Sequence, residues 1–191
     1  MSTLPDTYIT PEEYLEFERK ADYKNEYLDG KIYAMSGVSR QHDWIESQLS
    51  FLIYQHLEGK DCHSYSSGMR VRIETRSVCT YPDLSVVCGQ AQFTDPHVDT
   101  LTNPILLIEV LSPSTENYDR GLKAEIYREI PSLQELLLIS QDRFKVELYR
   151  REPDGGWRLE EAKGLDASIE LKSIAYTLRL SDLYKRLVQQ A

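Results

Sequence analysis

The segment PILLIEVLSP, residues 104–113, constrains this chain more than any other stretch. A short apolar run bounded by prolines reads as a β-strand buried on both faces, of the kind found in the middle of a sheet. By the two-residue alternation of a strand, Glu109 shares a face with Leu107 and Leu111. An ionised carboxylate in such a place is strongly disfavoured unless a cation or hydrogen-bond donors compensate it. The fold therefore has to bring something positive to Glu109.

The remaining patterns supply elements that could do so. In ITPEEYLEFER, Thr10 is placed to cap a helix, Pro11 suits its first position and Glu13 completes a capping box. NEYLDGKIYAMSG alternates on either side of Asp29-Gly30, a dipeptide suited to a tight hairpin turn. Ile45, Leu49, Leu52, Ile53 and Leu57 recur at helical spacing between Ser39 and Leu57, and Gly59 provides a stop. Met69, Val71 and Ile73 alternate with Arg70, Arg72 and Glu74, which predicts a strand with one buried and one charged face. TYPDLSVVC predicts another doubly buried strand, and residues 115–130 a helix running through Gly121. QELLLIS, FKVELYR and WRLEEA predict three further strands, the last two joined at EPDGG. SDLYKRLVQQ predicts a helix capped by Ser181. The order describes an α/β (α+β) chain, a central mixed β-sheet flanked by helices.

With 191 residues, 41% of them hydrophobic and 28% charged, the expectation is one domain over 1–191, with a helical arm over 1–25 and a closing helix over 180–191. Cys62, Cys79 and Cys88 are odd in number and lack a CxxC pair, so neither a disulfide framework nor a zinc knuckle is expected. No basic start followed by an apolar stretch opens the sequence, and no run nears the roughly 20 apolar residues of a membrane span. A cytoplasmic protein without a membrane partner is expected. Acidic residues outnumber basic ones, 31 to 22, giving a formal net charge of −9. That balance argues against coating nucleic acid through overall charge, so any such contact has to be local. Arg70, Arg72 and Arg76 with Lys60 form one basic region, and Arg143, Lys145, Arg150 and Arg151 a second. Arg70 and Arg72 share a strand face, which reads either as a phosphate-tracking surface or, more commonly, as a solvated sheet face.

Asp83 resembles Glu109 in its setting: Pro82 precedes it, and Leu84, Val86 and Val87 follow. Two acids on neighbouring core strands point to a cation site. Lys123, in the helix after the second strand, can fold back over that strand's end, where two carboxylates keep it charged. Taken singly, it would instead be a solvated lysine paired with Asp119 at i−4. Glu26, beside the hairpin, is a third acid in an apolar-alternating stretch. His42, His56, His63 and His97 lack metal-ligand spacing, which disfavours a histidine-based zinc site. Carboxylate oxygens suit a hard cation of the magnesium type.

YPDLSVV followed by LIEVLSPSTENYDRGLKAEIYREI, together with NEYLDGKIYAMSGVSRQH, resembles the bacterial Uma-type family of restriction endonucleases, frequent in cyanobacteria and part of the PD-(D/E)XK nuclease superfamily. The likeness extends over nearly the whole chain, and EVLSPST-x3-D-x3-K is its specific element. The resemblance implies a restriction-endonuclease-like fold with one or two Mg²⁺ ions, replaceable by Mn²⁺, held by Asp83 and Glu109, with Glu26 as an additional acid. The superfamily's lysine normally lies two residues after the second acid, where this chain has Leu111. The family supplies it from the following helix, as Lys123. His42 matches the family's histidine in a supporting role. QELLLIS stands where the family commonly has a Tyr-Trp pair.

The expected activity is metal-dependent hydrolysis of DNA phosphodiesters by a homodimer. Asp83, Glu109 and Glu26 would bind the ion, Lys123 would steady water and phosphate, and Arg70, Arg72 and Arg76 would contact nucleic acid. The alternatives are a non-cleaving binding or regulatory protein on the same fold, and a nuclease for RNA or branched DNA.

Overall fold

A computed structural model describes residues 8–189. Residues 1–7 of the expected helical arm, and residues 190 and 191 of the expected closing helix, lie outside the described residues. The strands are β1 Asn25–Leu28, β2 Lys31–Ala34, β3 Cys62–Ser66, β4 Arg70–Ile73, β5 Val78–Thr80, β6 Leu84–Cys88, β7 Thr100–Leu101, β8 Leu106–Leu111, β9 Glu135–Ser140, β10 Lys145–Arg151, β11 Trp157–Lys163, β12 Ser168–Leu171 and β13 Tyr176–Arg179. The helices are α1 Pro11–Glu18, α2 Arg40–Leu57, α3 Glu116–Tyr118, α4 Ala124–Tyr127, α5 Leu180–Leu183 and α6 Lys185–Val188.

The chain has the expected mixed α/β architecture. One sheet runs β11-β10-β9-β8-β6-β3, antiparallel except for the parallel β8/β9 pair. A second runs β2-β1-β5-β4-β7, and β12/β13 form a small hairpin that the sequence patterns did not bring out. The apolar run becomes β8, buried throughout its length between β6 and β9. Its alternation divides the core. Leu106, Ile108 and Val110 pack with Ile45, Leu49 and Ile53 of α2, whereas Leu107 and Leu111 pack with Ala124 and Tyr127 and with Val71 and Ile73 of the second sheet.

The local signals act as their chemistry requires. Thr10 and Glu13 form the reciprocal capping box of α1, with Thr10 N–H donating to Glu13 Oε2 at 2.8 Å. Asp29 and Gly30 both take positive φ, 43° and 84°, which allows Leu28 and Lys31 to pair directly. Ser39 caps α2 by accepting from the His42 amide.

Four expectations change. The helix over 115–130 is interrupted: α3 passes into a wide turn over Asp119–Lys123, kinked at Gly121, before α4 resumes. The Arg-bearing face of β4 is not solvated, because Arg70 is buried under Tyr14 and Tyr81. Ser181 lies inside α5, which begins a residue earlier because Leu180 is buried in the core, so Ser181 is not its cap. Cys62 and Cys88 are register partners on β3 and β6 and form a disulfide, leaving Cys79 as a buried free thiol. Their separation of 26 residues conceals a pairing that only the strand register makes evident.

Candidate active site

The chain leaves the second sheet at Thr80 and enters the first at Leu84, so Tyr81, Pro82 and Asp83 form the crossing between sheets. Because Leu84 pairs with Ile108 in an antiparallel ladder, one further step sets Asp83 opposite Glu109. The main chain of β8 holds this acid in place: Val110 N–H donates to Asp83 Oδ2 at 2.6 Å. From the other side, His42 Nε2 lies 3.1 Å from Asp83 Oδ1.

Glu109 finds the cation its burial demands. Lys123 Nζ is 3.0 Å from Glu109 Oε1, 3.0 Å from Glu26 Oε1 and 3.9 Å from Asp119 Oδ1. The i−4 pairing expected of a surface lysine is thus the longest of its three contacts. The wide turn at Asp119–Lys123 buries both of its ends. Tyr127, one helical turn beyond Lys123, donates its hydroxyl to Glu109 Oε1 at 2.6 Å, and Thr80 Oγ1 lies 3.0 Å from that hydroxyl.

Burial is the largest single influence on Glu109, Lys123 and His42, but it sets the direction of the shift only for Glu109. It pushes the Glu109 carboxyl up to about 8, with Asp83 and Asp119 adding to the rise and Lys123 and Tyr127 opposing it. Burial also works against the Lys123 ammonium, yet Glu109, Tyr127, Glu26 and Asp119 together hold its pKa well above the ordinary lysine value. The His42 imidazole is likewise disfavoured as a cation by burial, but the Asp83 hydrogen bond and charge raise its pKa overall.

The site opens into a cleft of about 610 Å³ whose lining includes Glu26, His42, Asp83, Glu109, Asp119 and Lys123. Small and hydroxyl-bearing residues 36–39 and 112–115 also line it. At its rim Ser39 Oγ donates to Gln141 Oε1 at 2.9 Å, joining α2 to the end of β9. The carboxylates are hard oxygen donors, chemically suited to a magnesium-type ion. Among the described residues, the one group of three whose ligand atoms all lie within 4.8 Å of one another is His42, Glu46 and Asp83.

A family profile described as "Putative restriction endonuclease" (Uma2) matches residues 11–181. The chain belongs to the Uma2 family. Two cyanobacterial relatives span almost the same length: Uncharacterized protein slr1290 of Synechocystis sp. is 40% identical, covering 96% of this chain and 95% of its own. Uncharacterized protein sll1609 of the same organism is 37% identical, covering 85% and 92%. The fold is shared with a crystal structure titled as a putative nuclease belonging to DUF820 from Anabaena variabilis, at a TM-score of 0.77 and 23% identity, covering 94% of this chain and 99% of that one.

In this Uma2 protein the cleft gathers Glu26, His42, Asp83, Glu109 and Lys123, but not the three arginines expected to meet nucleic acid. Arg70 is buried and bonds Thr100, Tyr81 and Asp99; Arg72 reaches Glu12 at 3.4 Å; Arg76 is bound to Glu129 and Glu125. The charged face of β4 serves α1 and the loop before β7, and the arginine side chains are committed to internal partners. Glu46 and Tyr127 join the cluster without having been expected there, and Asp119, expected only as a surface partner of Lys123, is buried within it. Their signals were spacings: Glu46 is four residues from His42, and Asp119 and Tyr127 flank Lys123 at the same interval.

Proposed function

We propose that this Uma2 protein is a metal-dependent endonuclease that hydrolyses DNA phosphodiester bonds. The observation that carries the reading is the position of Lys123, whose ammonium stands 3.0 Å from both Glu109 and Glu26 beside the strand pair that carries Asp83. A relocated lysine next to two opposed acids reproduces the charge arrangement a phosphodiester-cleaving site needs, and family membership supports the same reading.

Asp83, Glu109 and Glu26 would hold Mg²⁺, with Mn²⁺ able to replace it. The bound ion would polarise the scissile phosphate and lower the pKa of a water. The chain's own contribution is positional. Val110 N–H fixes Asp83, Tyr127 fixes Glu109, and Lys123 would turn from its carboxylate partners to orient the attacking water and stabilise charge on the pentavalent phosphate. The cleft walls offer small residues and hydroxyls, which would admit a backbone closely and bond its phosphates without added positive charge. Cutting both strands needs two such sites, which a two-fold homodimer would supply.

The test is incubation of the purified protein with supercoiled and linear DNA plus Mg²⁺ or Mn²⁺. Cleavage by the wild type and none by a folded Asp83→Ala variant is the expected result; equal cleavage by the variant overturns the proposal.

A further inference from the structure

We infer that the chain carries a nitrogen-containing cation subsite on the α2 side of Asp83, formed by His42, Glu46 and Asp83 and suited to a divalent first-row transition ion such as Mn²⁺, Co²⁺ or Zn²⁺. His42 and Glu46 stand at i and i+4 on one face of α2, so their side chains project together. The same stripe of α2 buries Ile45, Leu49, Ile53 and Leu57 in the core, so the packing that anchors the helix also turns His42 and Glu46 toward the sheet. Asp83 reaches the same point from the crossing between the sheets.

The distances suit a shared ion. His42 Nε2 is 3.1 Å from Asp83 Oδ1 and 3.9 Å from Glu46 Oε2. Metal–ligand bonds of about 2.0–2.2 Å put neighbouring ligand atoms roughly 3.0 Å apart at right angles and roughly 3.4 Å apart in a tetrahedron. Small side-chain adjustments would bring Glu46 into that range, and its side chain is only 17% exposed. Asp83 is preset for the task, since the Val110 amide occupies Oδ2 and leaves Oδ1 directed at the imidazole.

Donor chemistry separates this subsite from the carboxylates around Lys123. Magnesium prefers oxygen ligands and keeps much of its water, whereas an imidazole nitrogen with two carboxylates favours transition ions. The subsite shares Asp83 with the reaction proposed above but does not depend on that reaction taking place.

The experiment is metal titration of the chelator-stripped, full-length protein with Mn²⁺ alone, followed by calorimetry and by pulsed electron paramagnetic resonance. The wild type should bind Mn²⁺ and show nitrogen modulation from an imidazole. His42→Ala should abolish that modulation and weaken binding by at least the roughly ten- to hundredfold that losing even an outer-shell partner costs. Glu46→Gln, nearly isosteric and partly exposed, should weaken binding similarly while retaining the nitrogen signal; Glu109→Gln should leave that signal in place. A wild-type Mn²⁺ complex without nitrogen modulation, or unchanged affinity in both His42→Ala and Glu46→Gln, overturns the inference and leaves His42 as a hydrogen-bond partner of Asp83. DNA cleavage is scored separately. Cleavage without nitrogen ligation defeats the subsite alone, and nitrogen ligation without cleavage defeats the nuclease proposal alone.

Discussion

Tyr127 donates its hydroxyl to Glu109 Oε1 across 2.6 Å, with Thr80 bonded behind it. Both side chains are buried, so the bond is shielded from water. Tyr127→Phe removes one hydroxyl and leaves two buried oxygens short of a partner. A loss of about 1–3 kcal/mol in unfolding free energy is expected from urea denaturation. Thr80→Val, which removes only the outer member of the chain, should cost less.

Lys123 sits between two largely buried carboxylates, Glu26 and Glu109, 3.0 Å from each. Lys123→Met should destabilise the protein by about 3–5 kcal/mol, the typical cost of breaking a buried ion pair from one side. Adding Glu109→Gln to Lys123→Met should recover part of that loss, because a buried acid left without its cation is replaced by a neutral amide of the same shape. A double variant no more stable than the single one would show that the pairing is energetically unimportant.

Acid sensitivity should reside partly in the pairing of Arg19 with Asp99. The Arg19 hydrogen bonds, at 2.8 and 3.1 Å, hold the Asp99 carboxyl well below its ordinary value, and Arg70 adds to this from 2.9 Å. A depressed carboxylate pKa stabilises the fold above the unfolded-state value and loses that contribution as pH falls toward the folded-state value. Melting temperatures measured downward from about pH 6 should therefore fall more steeply for the wild type than for Asp99→Asn over the acid range.

Thiol chemistry should report the β3/β6 register. In denaturant, the oxidised protein should expose one reactive thiol, Cys79, and the reduced protein three. Closing a chain loop of this length is worth roughly 3.5 kcal/mol on a loop-entropy basis, so reduction should lower the unfolding free energy by an amount of that order. Cys62→Ser should reproduce the reduced stability.

Much of this arrangement is written locally in the sequence. The buried strand with one acid, the Asp29-Gly30 turn, the α1 capping box and the alternation of β10 all depend on neighbours close in the chain, and each forms where those signals place it. Glu109's requirement for a cation was likewise legible, because burial makes the demand wherever the cation comes from. What stayed hidden depends on partners distant in sequence. Arg70 looked solvated because Tyr14, Tyr81 and Asp99, which enclose it, come from three separate segments. The Cys62–Cys88 bond needs a register that spacing does not reveal. His42 lacked a second histidine, and its nearest acidic partners are Glu46 on its own helix and Asp83, 41 residues away.

The three residues between β5 and β6 carry the chain from one sheet into the other, and Asp83 is the last of them. That carboxylate is consequently seated on a joint. Rotation of one sheet against the other would be taken up across residues 81–83, directly beside the Val110–Asp83 bond. Substitutions among Val71, Val87 and Leu107, which pack between the two sheets, should then misalign Asp83 without touching it. The apolar layer acts as a calibration of the acid, and a protein still fully folded after such a change could be chemically out of tune.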